Sequence, residues 1–206
     1  MPVRFLGAAS SAPREAHAVD ELRSGRVCVL GYGSQARAHA LNLRASGLDV
    51  AVAMDPEDPQ RERAVRDRMP VVAPADGARE ALLVAATVPR NQVRAAYDLV
   101  VDELAPGAAL VVADAGPLDT GALVPRDDID VIALSPKLPG PLLRRTYLAG
   151  IGVPVWIEIQ RDATGRARAR ARAYAAGLGA TEAGTFESVV LERHAAPEKS
   201  VILRPR

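Results

Sequence analysis

Runs of apolar residues recur along the chain at 26–31, 49–54, 70–73, 82–88, 108–113, 130–135 and 153–159. Most are continuous rather than alternating, the pattern of strands buried on both faces of a sheet. Stretches with helical spacing lie between them at 34–45, 60–68, 90–104 and 164–178, the last preceded by Asp162 as a cap. This alternation predicts an α/β domain with a doubly wound, mostly parallel sheet, right-handed crossovers and helices on both faces. The turns PG at 106–107 and PRDD at 125–128 fall inside that domain. Residues 1–24 lack periodicity and read as an irregular lead-in, 25–187 as the α/β domain, and 188–206 as an extension. Two apolar runs in the extension, 188–193 and 200–204, fit either a hairpin that pairs with a second copy or a frayed tail.

Composition narrows the function classes. The 206 residues suit one domain, and 49% hydrophobic with 25% charged residues is globular composition. A net charge of +1 gives no electrostatic reason to expect nucleic acid or an anionic membrane as partner. Cys28 is the single cysteine, which excludes an intrachain disulfide and a zinc site built on several cysteines. No apolar run approaches the roughly 18 residues of a membrane span, and the start is too charged for a secretory signal, so a cytoplasmic protein is expected. Basic charge is carried by 24 arginines and only two lysines, Lys137 and Lys199. A GC-rich gene gives that bias, which makes arginine runs uninformative and a loop lysine worth attention.

The strongest local signal is the run 27–36, VCVLGYGSQA, a strand leading into G-x-G-x-x-A at the start of a helix. Gly31 permits a tight turn, Gly33 lets a pyrophosphate approach the backbone, and Ala36 lets helix and strand pack closely. The helix amino terminus offers free N–H groups and partial positive charge to phosphates. Such a turn also occurs for packing alone, but here it opens the first β-α-β unit of a chain that continues correctly. Asp55 follows the second strand, where a carboxylate can accept hydrogen bonds from ribose hydroxyls. Glu57 and Asp58 add charge that would repel a 2′-phosphate, whereas Arg61 and Arg63 could answer one if the loop folded back. NAD(H) is expected over NADP(H); the other reading makes DPEDP a solvated turn.

The segment 31–47, GYGSQARAHALNLRASG, closely resembles the nucleotide-binding segment of ketol-acid reductoisomerases. The resemblance continues through Pro89 with Gln92 and Tyr97, APGAAL at 105–110, SPKLPG at 135–140 and RRTY at 144–147. It includes GVPVWI at 152–157, DATG at 162–165 and AYAAGLG at 173–179, so it spans about Asp20 to Glu187. That family implies an amino-terminal Rossmann-like domain binding NAD(P)H, followed by a knotted helical domain whose carboxylates hold two magnesium ions. Its enzymes isomerise an acetohydroxy acid and reduce the resulting ketone. The resemblance implies a cofactor site of Gly31, Tyr32, Gly33, Ser34, Gln35 and Pro89, to which the position of Asp55 after the second strand adds a ribose acceptor.

Three departures shape the expected function. The helical domain has no counterpart within these residues, so neither a metal site nor metal-dependent alkyl migration is expected of this chain alone. The family's histidine after the fifth strand is replaced by Asp114, either a general acid in an apolar pocket or partner of a cationic substrate, or only a turn residue. The basic residue common at the end of the second strand is replaced by Asp55. Lys137 keeps its Pro-Lys context and is a candidate donor or electrostatic stabiliser, or else an ordinary loop charge. The chain therefore reads as an NAD(P)H-dependent reductase of a small carbonyl or imine, with Lys137 and Asp114 beside the reacting carbon. The alternatives are a non-catalytic dinucleotide-binding domain and an enzyme acting on the dinucleotide itself. One such domain rarely closes a pocket, so a homodimer is expected.

Other residues carry less. His39 fits helix packing, while His17 and His194 form no metal spacing. Glu187 and Glu192 do not make a metal site. Arg166, Arg168, Arg170 and Arg172 cannot share one helical face and are expected to be solvated. Trp156 is expected in the core.

Overall fold

The computed structural model describes residues 4–5, 19–180 and 185–189, the first and last of these pieces as backbone strands only. Its strands are β1 (Arg4–Phe5), β2 (Arg26–Leu30), β3 (Val50–Ala53), β4 (Val71–Val72), β5 (Ala81–Ala86), β6 (Ala109–Val112), β7 (Asp130–Pro136), β8 (Val155–Arg161) and β9 (Thr185–Val189). The helices are α1 (Asp20–Arg23), α2 (Ser34–Ala45), α3 (Arg61–Arg66), α4 (Pro74–Arg79), α5 (Val93–Asp98), α6 (Gly116–Asp119), α7 (Gly140–Leu148) and α8 (Ala167–Leu178). One sheet runs β1-β9-β8-β7-β6-β5-β2-β3-β4. The six strands from β7 to β4 are all parallel, as expected of a doubly wound sheet.

Burial on both faces explains the continuous apolar runs. Val27, Val29, Val50, Val52, Leu83, Ala85, Val111 and Ile132 point to one face, under α2, α7 and α8. Cys28, Leu30, Val84, Ala86, Leu110, Val112 and Val131 point to the other, under α4 and α5. Burial in this apolar layer pushes the Cys28 thiol up to about 12.

Several elements depart from the sequence pattern. β8 runs antiparallel to β7, with Trp156 opposite Ser135, and only the strand beyond it, β9, is parallel to β8. The alternating burial of β8 is the mark of that change: Val155, Ile157 and Ile159 are buried while Trp156, Glu158 and Gln160 are only partly so. Trp156 is thus not a core residue. Helices α4, α6 and α7 went unforeseen because each opens on Pro or Gly, which suggests a turn but is tolerated in a first helical turn. Gly77 in α4 is a packing requirement, since a Cβ there would lie 2.7 Å from the Cys28 Sγ. The helix expected over 90–104 is regular only to Asp98, entered through a 3-10 turn at Arg90–Gln92. Asp162 does cap α8, accepting the Ala167 N–H at 2.9 Å. In the lead-in, Asp20–Arg23 is helical and Arg4–Phe5 pairs with β9. Residues 188 and 189 end β9, and the rest of the expected hairpin lies outside the described residues.

Arg170 is not solvated. Its guanidinium reaches Asp130 at 2.8 Å and the Gly107 carbonyl at 2.7 Å, and the Asp130 side chain is fully buried. Thr164 donates to the same carboxylate through its N–H and hydroxyl. A buried carboxylate at the start of β7 requires a cation, and the helix that crosses it supplies one.

His39 ties α2 to α8: its Nδ1 lies 2.9 Å from the Tyr174 hydroxyl, and burial drives its pKa from 6.5 down to about 3. The unfolded chain therefore holds the extra proton between those values, so this part of the stability is present above pH 6.5 and lost as the pH falls toward 3. We expect wild type to lose up to about 1.4 kcal/mol per pH unit through His39 in that window. Urea midpoints measured at pH 7 and pH 5 should therefore differ more in wild type than in His39→Gln. Equal shifts would remove His39 as the cause.

Candidate functional site

The chain passes from β2 through α2 to β3 on one side, then returns to place β5 on the other side of β2. Open α/β sheets bind ligands where the strand order reverses in this way, outside the carboxyl ends of the strands. A cleft of about 780 Å³ lies there, walled by Leu30, Met54, Val88 and Ala113 at the ends of β2, β3, β5 and β6. All the expected cofactor residues, Gly31, Tyr32, Gly33, Ser34, Gln35, Asp55 and Pro89, line it. Gly31 has φ +73°, a conformation other residues adopt only with strain. Tyr32 is buried and its hydroxyl donates to Asp67, which also holds Arg37 in an ion pair at 2.6 Å. That pair keeps the Asp67 carboxyl below its usual range and fixes the foot of α3 against α2.

The mostly apolar cleft holds a few polar groups without partners. No side chain caps α2, whose N-cap is Gly33, so the N–H groups of its first turn face the cleft without a partner from a capping residue. Among the described residues four buried side-chain atoms lack a hydrogen-bond partner, and three of them, Gln35 Oε1, Gln60 Oε1 and Thr87 Oγ1, belong to cleft residues. Asp55 and Asp58 are the charged residues lining the cleft; Arg61 and Arg63 are not among its walls. Asp55 is exposed and accepts the Glu57 N–H at 2.9 Å, so the DPEDP segment is a turn and also the lip of the cleft.

A second cavity of about 270 Å³ adjoins the first at Ala113. Its walls bring Asp114 and Lys137 together with Ser135, Trp156 and Glu158. The Lys137 Nζ lies 5.8 Å from the centre of the Trp156 ring, within cation–π range. Asp114 does not sit in an apolar pocket: its side chain is 40% exposed and forms an ion pair with Arg90. Its Oδ1 also accepts the Gly116 N–H at 2.9 Å, a turn bond at the start of α6. Arg90 was not foreseen, since an arginine in so arginine-rich a chain carries no signal of its own. Trp156 and Glu158 were legible only through the two-residue alternation of β8. No group of three or more His, Cys, Asp or Glu that could hold a metal occurs among the described residues. No helix among them is long and apolar enough to cross a membrane.

Residues 21–184 match the family model described as acetohydroxy acid isomeroreductase, NADPH-binding domain. The chain belongs to this family. The ketol-acid reductoisomerase (NADP(+)) of Xanthomonas oryzae pv. oryzae is 39% identical over 168 residues, covering 81% of this chain and 50% of that protein. The chain thus spans about half the length of the curated ketol-acid reductoisomerases it matches. A solved structure of an NADH-preferring ketol-acid reductoisomerase from an uncultured archean superposes with a TM-score of 0.78 at 31% identity, covering 83% of this chain and 54% of that one. A semialdehyde dehydrogenase NAD-binding protein from Cupriavidus necator, at TM-score 0.68 and 18% identity, shares the fold; it covers 81% of this chain and 63% of that one.

In this acetohydroxy acid isomeroreductase domain, the loop carrying Lys137 is pressed onto the cofactor helix. A Cβ on Gly140 would lie 2.0 Å from the Ser34 carbonyl oxygen, so α7 can start there only with glycine. Gly140→Ala should force the two helix starts apart, at a cost of about 1–3 kcal/mol for overpacking. We expect a lowered urea midpoint together with weaker coenzyme binding by calorimetry. Unchanged values for both would show that the contact relaxes freely.

Proposed function

We propose that this chain binds NADH in the larger cleft and uses it to reduce a small carbonyl or imine held in the adjoining cavity. The observation that carries the reading is the uncapped α2 in a cleft with three orphaned polar atoms, adjoining a small cavity that contains a lysine. The N–H groups at the start of α2 would hold the pyrophosphate, and Gly31 and Gly33 leave it room. Asp55 and Asp58 would accept from ribose hydroxyls. Bound there, the nicotinamide supplies the hydride. Lys137, which has no ion pair among the described residues, would hold a proton at Nζ against the substrate oxygen or nitrogen and stabilise charge developing there. Trp156 supports the ammonium from one side. Asp114 acts as an acceptor, both of its oxygens being engaged by donors, and sets Arg90 beside the cavity.

Charge favours NADH over NADPH, because a 2′-phosphate would meet the carboxylates Asp55 and Asp58 with no arginine in the cleft wall. The Xanthomonas relative is named for NADP(+), and the archaeal structure is described as NADH-preferring. We expect NADH to bind this chain at least tenfold more tightly than NADPH, a difference of about 1.4 kcal/mol. Calorimetric titration with both checks this, and tighter NADPH binding would overturn it.

The turn bond and ion pair of Asp114 also suit a domain that binds a dinucleotide without catalysis. Hydride consumption across a panel of small oxo acids and cyclic imines separates the two readings. Lys137→Ala should cut turnover by roughly 10²–10⁴-fold while coenzyme affinity holds. Equal turnover in that variant refutes the role of Lys137, and tight coenzyme binding with no turnover by wild type favours the binding domain.

A further inference from the structure

Gln35 links the larger cleft to the loop that carries Lys137, a wall of the smaller cavity. It lies in the first turn of α2 and lines the larger cleft. Its Nε2 donates to the Leu138 carbonyl at 3.3 Å, and Leu138 is the residue after Lys137. Its Oε1 is buried without a partner. One end of this amide therefore holds the lysine loop through a long hydrogen bond, and the other end is an unsatisfied acceptor. Leaving such an acceptor unpaired is unfavourable, and a donor arriving in the cleft would relieve it.

The lysine loop has little freedom to ignore a change at Gln35. Behind it the Lys137 N–H donates to the Pro154 carbonyl at 3.0 Å. Ahead of it Gly140 is packed against the Ser34 backbone. Leu138 is packed against the core. The Lys137 side chain is exposed, with its ammonium on the Trp156 ring rather than in an ion pair. A donor bonded to Oε1 polarises the amide and strengthens its Nε2 bond to Leu138, because hydrogen bonds in a chain reinforce one another.

We propose that Gln35 is a positioning residue that couples coenzyme occupancy of the cleft to the setting of Lys137. It rests on the reading of the cleft as a dinucleotide site. The donor that completes it is a hydroxyl or amide N–H of the bound coenzyme. The coupling is reciprocal: whatever fixes Lys137 in its bound setting also raises coenzyme affinity.

The two-lysine composition makes a direct test possible. The full chain is labelled with trace acetic anhydride, and acetylation of Lys137 is read by peptide mass spectrometry against Lys199 as internal reference. Wild type is expected to change its Lys137 labelling by about fivefold at saturating NADH, the lower range of a site-to-site coupling. Gln35→Met keeps the length of the side chain and loses both hydrogen-bonding ends. Gln35→Glu keeps acceptors and loses the donor to Leu138. Both variants, titrated by calorimetry to full occupancy, should show no coenzyme-dependent change at Lys137. A change that persists in either variant at full occupancy overturns the proposal, because direct shielding by the coenzyme would then explain it. A wild type that binds NADH without altering Lys137 overturns it as well. A wild type that binds no NADH in the same titration overturns the reading of the cleft, and this inference with it.

Discussion

Helix α2 begins with N–H groups that its own turns cannot satisfy, and no side chain caps them. Everything at the functional edge answers to that requirement. Gly31 turns the chain so that the open end faces the gap between β2 and β5, and the cleft residues with orphaned polar atoms surround it. Gly140 seats a second helix start against the Ser34 backbone, where any side chain would collide. The apolar layers on either side of the sheet hold α2 in place, with His39 and Tyr174 tying its middle to α8.

Much of this architecture could be read from the chain. Strands buried on both faces leave uninterrupted apolar runs, so β2, β3, β5 and β6 were visible, and the glycine turn located the cleft. What resisted reading has a physical cause in each case. Pro141 and Gly140 look like a turn until the crowding at Ser34 is known, and that crowding is a tertiary fact. Arg170 looks like one of four surface arginines until Asp130 is found buried beneath it. The alternation of β8 was present in the sequence, yet its meaning depends on a neighbour, since only pairing with β7 shows which face lies open.

At the candidate site the glycine turn fixes where the chain runs, and all seven residues expected to hold a cofactor line one cleft. Lys137 stood out through rarity in an arginine-biased chain. Arg90 had no such contrast, although its ion pair with Asp114 joins the loops after β5 and β6. Asp114 is thereby paired with a cation from a neighbouring loop, which offsets its charge at the edge of the smaller cavity.

The reversal of β8 has a consequence for how that cavity can vary. Asp114 sits in the connection after β6, where insertion or deletion can reshape the wall locally, whereas the Lys137 loop is pinned by Pro154 and Gly140. Trp156 and Glu158 belong to a paired strand, locked opposite Ser135 and Ala133. Sliding that strand by one residue would turn Val155 and Ile157 toward the opening and bury an indole and a carboxylate. One wall is therefore free to drift by small steps, while the facing wall can change only by replacing side chains where they stand.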